Sequence, residues 1–180
     1  MSSITTARQI STGENFSCAL LTDNTSKCWG YNGNYQLGNR TTTSSKLPSD
    51  VLWQDSSTVL TNVRSISSGY NSSCAIKNDN TVRCWGAIYY SNTSTAWNTA
   101  TDLFGGFSTS VGSKIVRKIS HGEEFSCFYY SDDEIKCFGE GGDGQLGYGS
   151  SSDRSLNFND LVENHSNTSD LDLGSQHACA

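Results

Sequence analysis

Residues 10–38 read I-S-T-G-E-N-F-S-C-A-L-L-T-D-N-T-S-K-C-W-G-Y-N-G-N-Y-Q-L-G, and this stretch decides the fold. The same pattern returns from Ile66 and from Ile119, and a fourth copy begins at Leu173. The first cysteines of successive copies are separated by 56, 53 and 52 residues; they are Cys18, Cys74, Cys127 and Cys179. A period near fifty residues indicates a propeller or another array of repeats.

Each copy predicts a β-hairpin with a further strand before it. In the first copy the hairpin strands are residues 16–22 and 26–30, and residues 8–11 form the preceding strand. Asp23-Asn24-Thr25 lies between the hairpin strands, and Asp and Asn favour turns because they tolerate left-handed conformations. No window shows a sustained helical period, so the sequence predicts an all-β chain.

The segments after the first hairpin predict a loop and an outer strand. Residues 39–50 are polar and contain Pro48, which indicates an exposed loop. Residues 51–60 alternate loosely between apolar and polar, which predicts the outer strand of the first unit.

Each complete hairpin carries two cysteines with nine residues between them. The three candidate pairs are Cys18/Cys28, Cys74/Cys84 and Cys127/Cys137. The index sum of each pair is even, which suits a loop of three or five residues and places the two cysteines directly opposite each other. Opposed Cα atoms lie roughly 4.5–5.5 Å apart, within the range for a disulfide. We therefore predict three disulfides within hairpins; reduced thiols packed as small apolar groups are the alternative. Cys179 is then unpaired.

Composition excludes several classes of function. The net charge of −6 and the scattered twelve Lys and Arg residues argue against nucleic-acid binding, which depends on clustered positive charge. No stretch approaches the roughly 20 apolar residues of a membrane span. The N-terminus lacks a signal-peptide pattern, yet paired cysteines imply an oxidising compartment. We therefore expect part of a longer extracellular or cell-surface protein; a cytoplasmic protein with reduced cysteines is the alternative.

The repeats divide the chain and point to one candidate contact surface. The divisions are residues 1–60, 61–113, 114–170 and 171–180, the last being the start of a truncated repeat. The second repeat lacks Gln-Leu-Gly and carries a variant insert at residues 87–113. Tyr89, Tyr90 and Trp97 in this insert are the candidate partner contacts, because Tyr and Trp dominate binding hot spots.

No catalytic, cofactor or metal site is predicted. Residues 139–144 match G-x-G-x-x-G, but no helix follows to bind a dinucleotide. His121, His165 and His177 do not have the spacing of metal ligands. The acidic turns lack the spacing of a calcium loop, so they are interpreted as solvated turns.

The order I-S-x-G-x-x-x-S-C-A-L…K-C-W-G-x-N-x-x-x-Q-L-G resembles the repeats of the regulator of chromosome condensation family. The cysteines in both hairpin strands resemble its bacterial and environmental branch. The resemblance implies a β-propeller, usually of seven blades, each with about four antiparallel strands. It also implies an aromatic residue between blades, at Trp29, Trp85 and Phe138, each followed by a glycine that allows a tight exit. Three repeats and the start of a fourth cannot close a ring. We therefore expect an open arc, a fragment of a propeller, or a ring completed by further blades or by self-association.

These observations predict a non-enzymatic protein–protein interaction module with an unidentified protein partner. Nucleotide exchange on a small GTPase, the activity of the founding member of the family, is one alternative. Inhibition of an extracellular enzyme is the other, by similarity to a β-lactamase inhibitor protein of the same superfamily.

Overall fold

The computed structural model describes residues 4–54, 57–90, 93–102, 115–149, 151 and 170–179. The first sheet contains β1 (Ala7–Thr12), β2 (Phe16–Leu21), β3 (Ser26–Gly30) and β4 (Ser45–Asp50). The second contains β5 (Val63–Ser68), β6 (Ser72–Lys77), β7 (Val82–Tyr90) and β8 (Thr93–Asp102). The third contains β9 (Val116–His121), β10 (Phe125–Tyr130) and β11 (Ile135–Gly139), and the fourth contains β12 (Asp172–Leu173) and β13 (Ala178–Cys179).

Each sheet is an antiparallel blade in which neighbouring strands follow each other along the chain. The first two blades have four strands, and the described residues supply three strands of the third and two of the fourth. All regular elements in this part of the chain are strands, and no helix in it could cross a membrane. The predicted all-β propeller architecture is confirmed.

The hairpin turns have the predicted conformation. Asn24, Asn80 and Asp133 occupy the left-handed region, with φ values of 63°, 64° and 66°. In the first turn, the backbone N–H of Thr25 donates to Asp23 Oδ1 at 3.0 Å. Asp and Asn form these turns because their short polar side chains bond to the backbone nearby.

The cysteines of every hairpin stand opposite each other, as predicted. The disulfides join Cys18 to Cys28, Cys74 to Cys84, and Cys127 to Cys137. Their Cα–Cα distances of 4.1, 4.0 and 4.0 Å are close to those of a non-hydrogen-bonded antiparallel pair. The predicted loop parity is therefore correct in all three blades.

The blades stack face to face through their alternating side chains. Neighbouring strand positions face opposite ways, so the cysteines and the aromatic residue of a hairpin lie on opposite faces of the blade. The cysteines of the first and second blades pack in clusters with the aromatic residue of the blade that follows. Trp85 of the second blade is fully buried in a cluster with Leu37 and Val51 of the first. Phe138 of the third blade packs in a cluster with Ile76 of the second. Both aromatic residues therefore lie between blades, as the resemblance implied.

The aromatic face of the first blade is open in the structure. Trp29 occupies the same hairpin position as Trp85, but it is only half-buried. Ile10 is 55% exposed, whereas its counterparts Ile66 and Ile119 are 3% and 4% exposed. The described residues place no blade against this face, so Trp29 does not lie between blades here.

The predicted position of the outer strand of the first blade, residues 51–60, is wrong. The strand is β4 at Ser45–Asp50, within the segment expected to be a loop. Pro48 is tolerated there because β4 is an edge strand and a proline lacks the N–H that a central strand would need. The described residues of this range, 51–54 and 57–60, instead lead toward the second blade, where the N–H of Ala100 donates to the carbonyl of Leu52 at 2.9 Å.

Part of the variant insert continues the second blade. Ala87–Tyr90 lengthens β7 beyond the blade and Thr93–Asp102 forms β8, with Ala87 opposite Ala96 and Tyr90 opposite Thr93. Residues 91–92 and 103–113 of the predicted insert lie outside the described residues.

Candidate functional site

The first strands of the four blades are β1, β5, β9 and β12, and we call them the inner strands. The loops that follow them form one continuous arc. The N–H of Glu14 donates to the carbonyl of Tyr70 at 3.3 Å, and the N–H of Tyr70 donates to that of Gly122 at 3.5 Å. The N–H of Glu123 donates to the carbonyl of Ser175 at 3.0 Å. We call these loops the loop arc; it comprises residues 13–15, 69–71, 122–124 and 174–175.

The recurrent glycine of I-S-x-G lets these loops approach each other closely. A Cβ on Gly69 would lie 2.4 Å from the Cβ of His121 and 2.9 Å from the carbonyl oxygen of Gly122. A Cβ on Gly13 would lie 2.3 Å from the carbonyl oxygen of Gly69. Any larger residue would separate the loops and lengthen the hydrogen bonds of the arc.

Side chains of the inner strands add further bonds between blades. The amide of Gln9 both donates to the carbonyl of Ile66 at 2.8 Å and accepts from its N–H at 3.0 Å. Arg64 of the second blade donates to the carbonyl of Val116 in the third at 2.5 Å. These bonds fix each inner strand against the next, which makes the loop arc a preorganised surface.

The loop arc borders an acidic cleft of about 630 Å³. Glu14, Glu123 and Asp172 line it, and no lysine or arginine is among the described residues of its walls. Tyr70 lines the same cleft as these carboxylates. Its pKa is raised foremost by the negative charge of Glu14, then by burial and by the charges of Glu123 and Glu124.

His121 forms part of the cleft wall and adds no positive charge at neutral pH. It is 7% exposed, and its Nδ1 lies 2.7 Å from the hydroxyl oxygen of Ser126. Burial lowers the pKa of His121 to about 4, because the interior disfavours the imidazolium. The cleft therefore presents carboxylates, hydroxyls and one phenol ring, which together suit a cationic partner.

The predicted contact residues lie elsewhere, on the hairpin at the outer side of the second blade. Tyr89 and Tyr90 end β7, and Trp97 in β8 stands opposite Gly86. Their role in partner binding stays a prediction.

Comparing the repeats at one position would have indicated from the sequence that the loops of the loop arc are exposed. Glu14, Tyr70 and Glu123 each follow the recurrent glycine directly. This position holds glutamate in two of the three complete copies, which is a property of an exposed loop rather than of a core.

Cys179 is a free, exposed cysteine at the end of β13. It is in register with the first cysteines of the other blades, whereas the other six cysteines form disulfides. The searched part of the chain contains no group of three or more His, Cys, Asp or Glu side chains that could hold a metal ion.

Stacked antiparallel blades of up to four strands, with a buried aromatic residue at both joints between the first three, define a β-propeller-type repeat protein. Models of the regulator of chromosome condensation (RCC1) repeat match residues 7–36 and 63–93, and, for a second model, residues 28–76. Residues 7–93 therefore contain repeats of this family. A search of curated proteins gave no significant match.

Solved structures share the fold at low sequence identity. Human WBSCR16 superposes with a TM-score of 0.78 and 19% identity over 96% of this chain and 43% of that protein. Yeast RCC1 (Prp20), bound to Kap60, gives 0.70 and 20% over 96% and 41% of the two chains. The ectodomain of the receptor kinase CR4 from Physcomitrella patens gives 0.51 and 14% over 94% and 38%. This chain thus spans less than half the length of each.

Proposed function

We propose that this chain is a non-enzymatic protein-interaction module whose loop arc binds a basic segment of a partner protein. The observation that carries the proposal is the acidic cleft, which is lined by Glu14, Glu123 and Asp172 together with Tyr70. The charges of Glu14, Glu123 and Glu124 all raise the pKa of Tyr70. A lysine or arginine of the partner entering the cleft would meet carboxylates on both sides and the face of a tyrosine ring. Both interactions favour a cation over a neutral side chain.

The rigidity of the loop arc supports this function. Its loops are joined by backbone hydrogen bonds and by the side chains of the inner strands, so little ordering is needed on binding. A preorganised surface loses less entropy when a partner docks, so more of the contact energy appears as affinity.

We propose a second contact surface on the hairpin that β7 and β8 form beyond the blade. Tyr89, Tyr90 and Trp97 lie in this hairpin, and residues of these types contribute most to protein interfaces. Alanine at all three positions would then weaken partner binding without affecting a ligand of the loop arc alone.

The disulfides favour an extracellular or cell-surface location over a cytosolic one. Structural disulfides persist in oxidising compartments and are rare in the cytosol and nucleus. An exchange factor for a small GTPase would work in those reducing compartments, so the three disulfides favour an interaction module over that alternative.

Binding of a labelled lysine-rich peptide, measured by fluorescence anisotropy, tests the proposed function. We expect the triple variant E14Q/E123Q/E124Q to bind about tenfold more weakly, because three exposed ion pairs contribute about 0.2–1 kcal/mol each. The same peptide with glutamine in place of lysine should not bind.

A charge-matched variant provides the control. D23N/D79N/D132N removes the same charge from the hairpin turns, where asparagine retains the turn conformation. We expect it to bind the lysine-rich peptide as the wild-type chain does. Equal weakening in both triple variants would mean that net charge, rather than the loop arc, attracts the peptide.

A further inference from the structure

The third strand of the second blade continues past the point where its inner neighbour begins. Ser72, the first residue of β6, stands opposite Gly86, and β7 runs on from there to Tyr90. At about 3.3 Å per residue, residues 87–90 rise roughly 13 Å beyond the start of β6. The loop arc lies at this end of the blade, because residues 69–71 directly precede β6. The hairpin of β7 and β8 therefore stands beside the loop arc.

The first and third blades lack this projection. In all three blades, the residue after the glycine of the third strand donates its N–H to the carbonyl of the last residue in the neighbouring loop of the arc. These bonds join Tyr31 to Asn15 at 2.9 Å, Ala87 to Asn71 at 3.0 Å, and Glu140 to Glu124 at 2.9 Å. The strand ends at the glycine in β3 and in β11, whereas β7 continues.

Strand alternation determines which backbone groups of the projection are unpaired. In an antiparallel sheet, the N–H and C=O of one residue point to the same neighbouring strand, and those of the next residue point the other way. Ala87 points to the inner side, since its N–H donates to Asn71, so Tyr89 points there as well. Among the described residues, no strand pairs with β7 on this side beyond Gly86. The carbonyl of Ala87 and the N–H and carbonyl of Tyr89 form what we call the free edge.

The base of the projection is fixed, so the free edge has a defined position above the loop arc. Ile88 is 2% exposed and packs in one cluster with Cys84 and with Phe138 of the third blade. On the outer side, β7 pairs with β8 as far as Tyr90 opposite Thr93. A strand edge held in this way is a template for a further strand, and proteins commonly cover or interrupt such edges.

A strand on the free edge would continue the line of β6 across the loop arc. Its side chains would alternate between the two sides, as those of any strand do. Neighbouring loops of the arc lie on both sides, because Tyr70 is hydrogen-bonded to Glu14 of the first blade and to Gly122 of the third. Glu14 is thus on one side, and the carboxylate of Glu123 is on the other. Two successive residues of the added strand would each meet negative charge, which favours basic residues at both positions.

We propose that the free edge binds an extended segment of a partner protein as an added β-strand, with two successive lysine or arginine residues directed to the carboxylates on the two sides. This inference rests on the proposed binding of a basic segment by the loop arc, and it specifies the conformation and sequence of that segment. In such pairing, backbone hydrogen bonds provide affinity and alternate side chains provide specificity.

Backbone methylation of a peptide tests the pairing without changing the chain. The probe is the labelled peptide T-V-T-K-K-T-V-T, and fluorescence anisotropy measures its binding. N-methylation at the odd or at the even positions removes the N–H groups from one side of the strand only. We expect one methylated version to bind roughly tenfold more weakly, because the bonds to the carbonyls of Ala87 and Tyr89 are lost. The other version should bind as the unmethylated peptide does.

Two controls separate pairing from attraction by net charge. The peptide T-V-K-T-K-T-V-T has the same composition but directs both lysines to one side, so it should bind more weakly. The variant Y89P removes the N–H of the free edge and no hydrogen bond to β8, since Tyr89 points to the inner side. We expect Y89P to weaken binding of the first peptide, with far-UV circular dichroism showing that the fold is retained.

Equal affinities of the two methylated versions, or of the two lysine orders, would overturn the proposal, because the segment would then bind without pairing. If the lysine-rich peptide still bound in a manner that depends on Glu14, Glu123 and Glu124, the proposed function would stand and only the added strand would be wrong. A lysine-rich peptide that does not bind the wild-type chain would instead refute the proposed function itself.

Discussion

Replacing Trp85 by alanine should remove a large buried side chain from the joint between the first two blades. Its side chain is fully buried and donates to Gln36. Truncation of a buried tryptophan to alanine costs about 3–5 kcal/mol, and the carbonyl left without its donor adds to that loss. The free energy of unfolding of a small protein is only about 5–15 kcal/mol, so W85A should strongly lower the urea concentration at which half of the chain is unfolded.

Trp29 provides a control with the same residue type at the same hairpin position. Its side chain is half-buried, because no blade covers this face in the structure. We expect W29A to cost about 1–2 kcal/mol, since less apolar surface is lost. Urea unfolding of both variants, followed by far-UV circular dichroism, compares the two changes.

Equal destabilisation by W85A and W29A would refute the reasoning. It would mean that the aromatic residue stabilises its own hairpin, where the two positions are equivalent, rather than the joint between blades. A clearly larger loss of stability in W85A than in W29A would instead show that the buried ring of Trp85 stabilises the joint between the blades.

Other predictions concern the disulfides, the loop arc and the buried histidine. Removing the first disulfide with C18A/C28A should cost at most about 3 kcal/mol, measured by urea unfolding, because its loop is short. Thermal unfolding should show G69A destabilised by more than about 2 kcal/mol, whereas G142A, whose Cβ meets only an oxygen at 3.9 Å, should be nearly neutral. Burial lowers the pKa of His121 to about 4, so its contribution to stability is complete above pH 6.5 and is lost as the pH falls toward 4. Urea titrations at both pH values should show about 3 kcal/mol more acid destabilisation in the wild-type chain than in H121S.

The sequence predicted the hairpins well because their register is encoded locally. The parity of the spacing between Cys18 and Cys28 determines the loop class, and the turn residues Asp23 and Asn24 fix the turn position. Neither inference needs information from another part of the chain. The same pattern in three copies made the assignment of repeats independent of any single hairpin.

The outer strand was misplaced because an edge strand at the surface has little hydrophobic pattern. β4 is polar and contains Pro48, whereas the more apolar residues after it serve the core and the contact with the second blade. Val51 and Leu60 are fully buried there. The loose apolar alternation of residues 51–60 therefore led to the prediction of a strand where the chain connects the two blades.

The loop arc could not be predicted from one repeat, since its surface arises only when blades stack. Glu14, Tyr70 and Glu123 lie more than fifty residues apart in successive copies. Each is an ordinary loop residue by itself. The acidic cleft depends on hydrogen bonds between neighbouring loops, and those bonds depend on the stacking of the blades.

Alkylation of the denatured, unreduced chain tests the central claim most directly, because every hairpin register depends on opposed cysteines. The account predicts one alkylated cysteine, Cys179, with peptide mapping that links each remaining pair ten positions apart. Seven alkylated cysteines would contradict the disulfide-linked blades and the oxidising compartment. Disulfides between cysteines of different repeats would contradict the registers themselves.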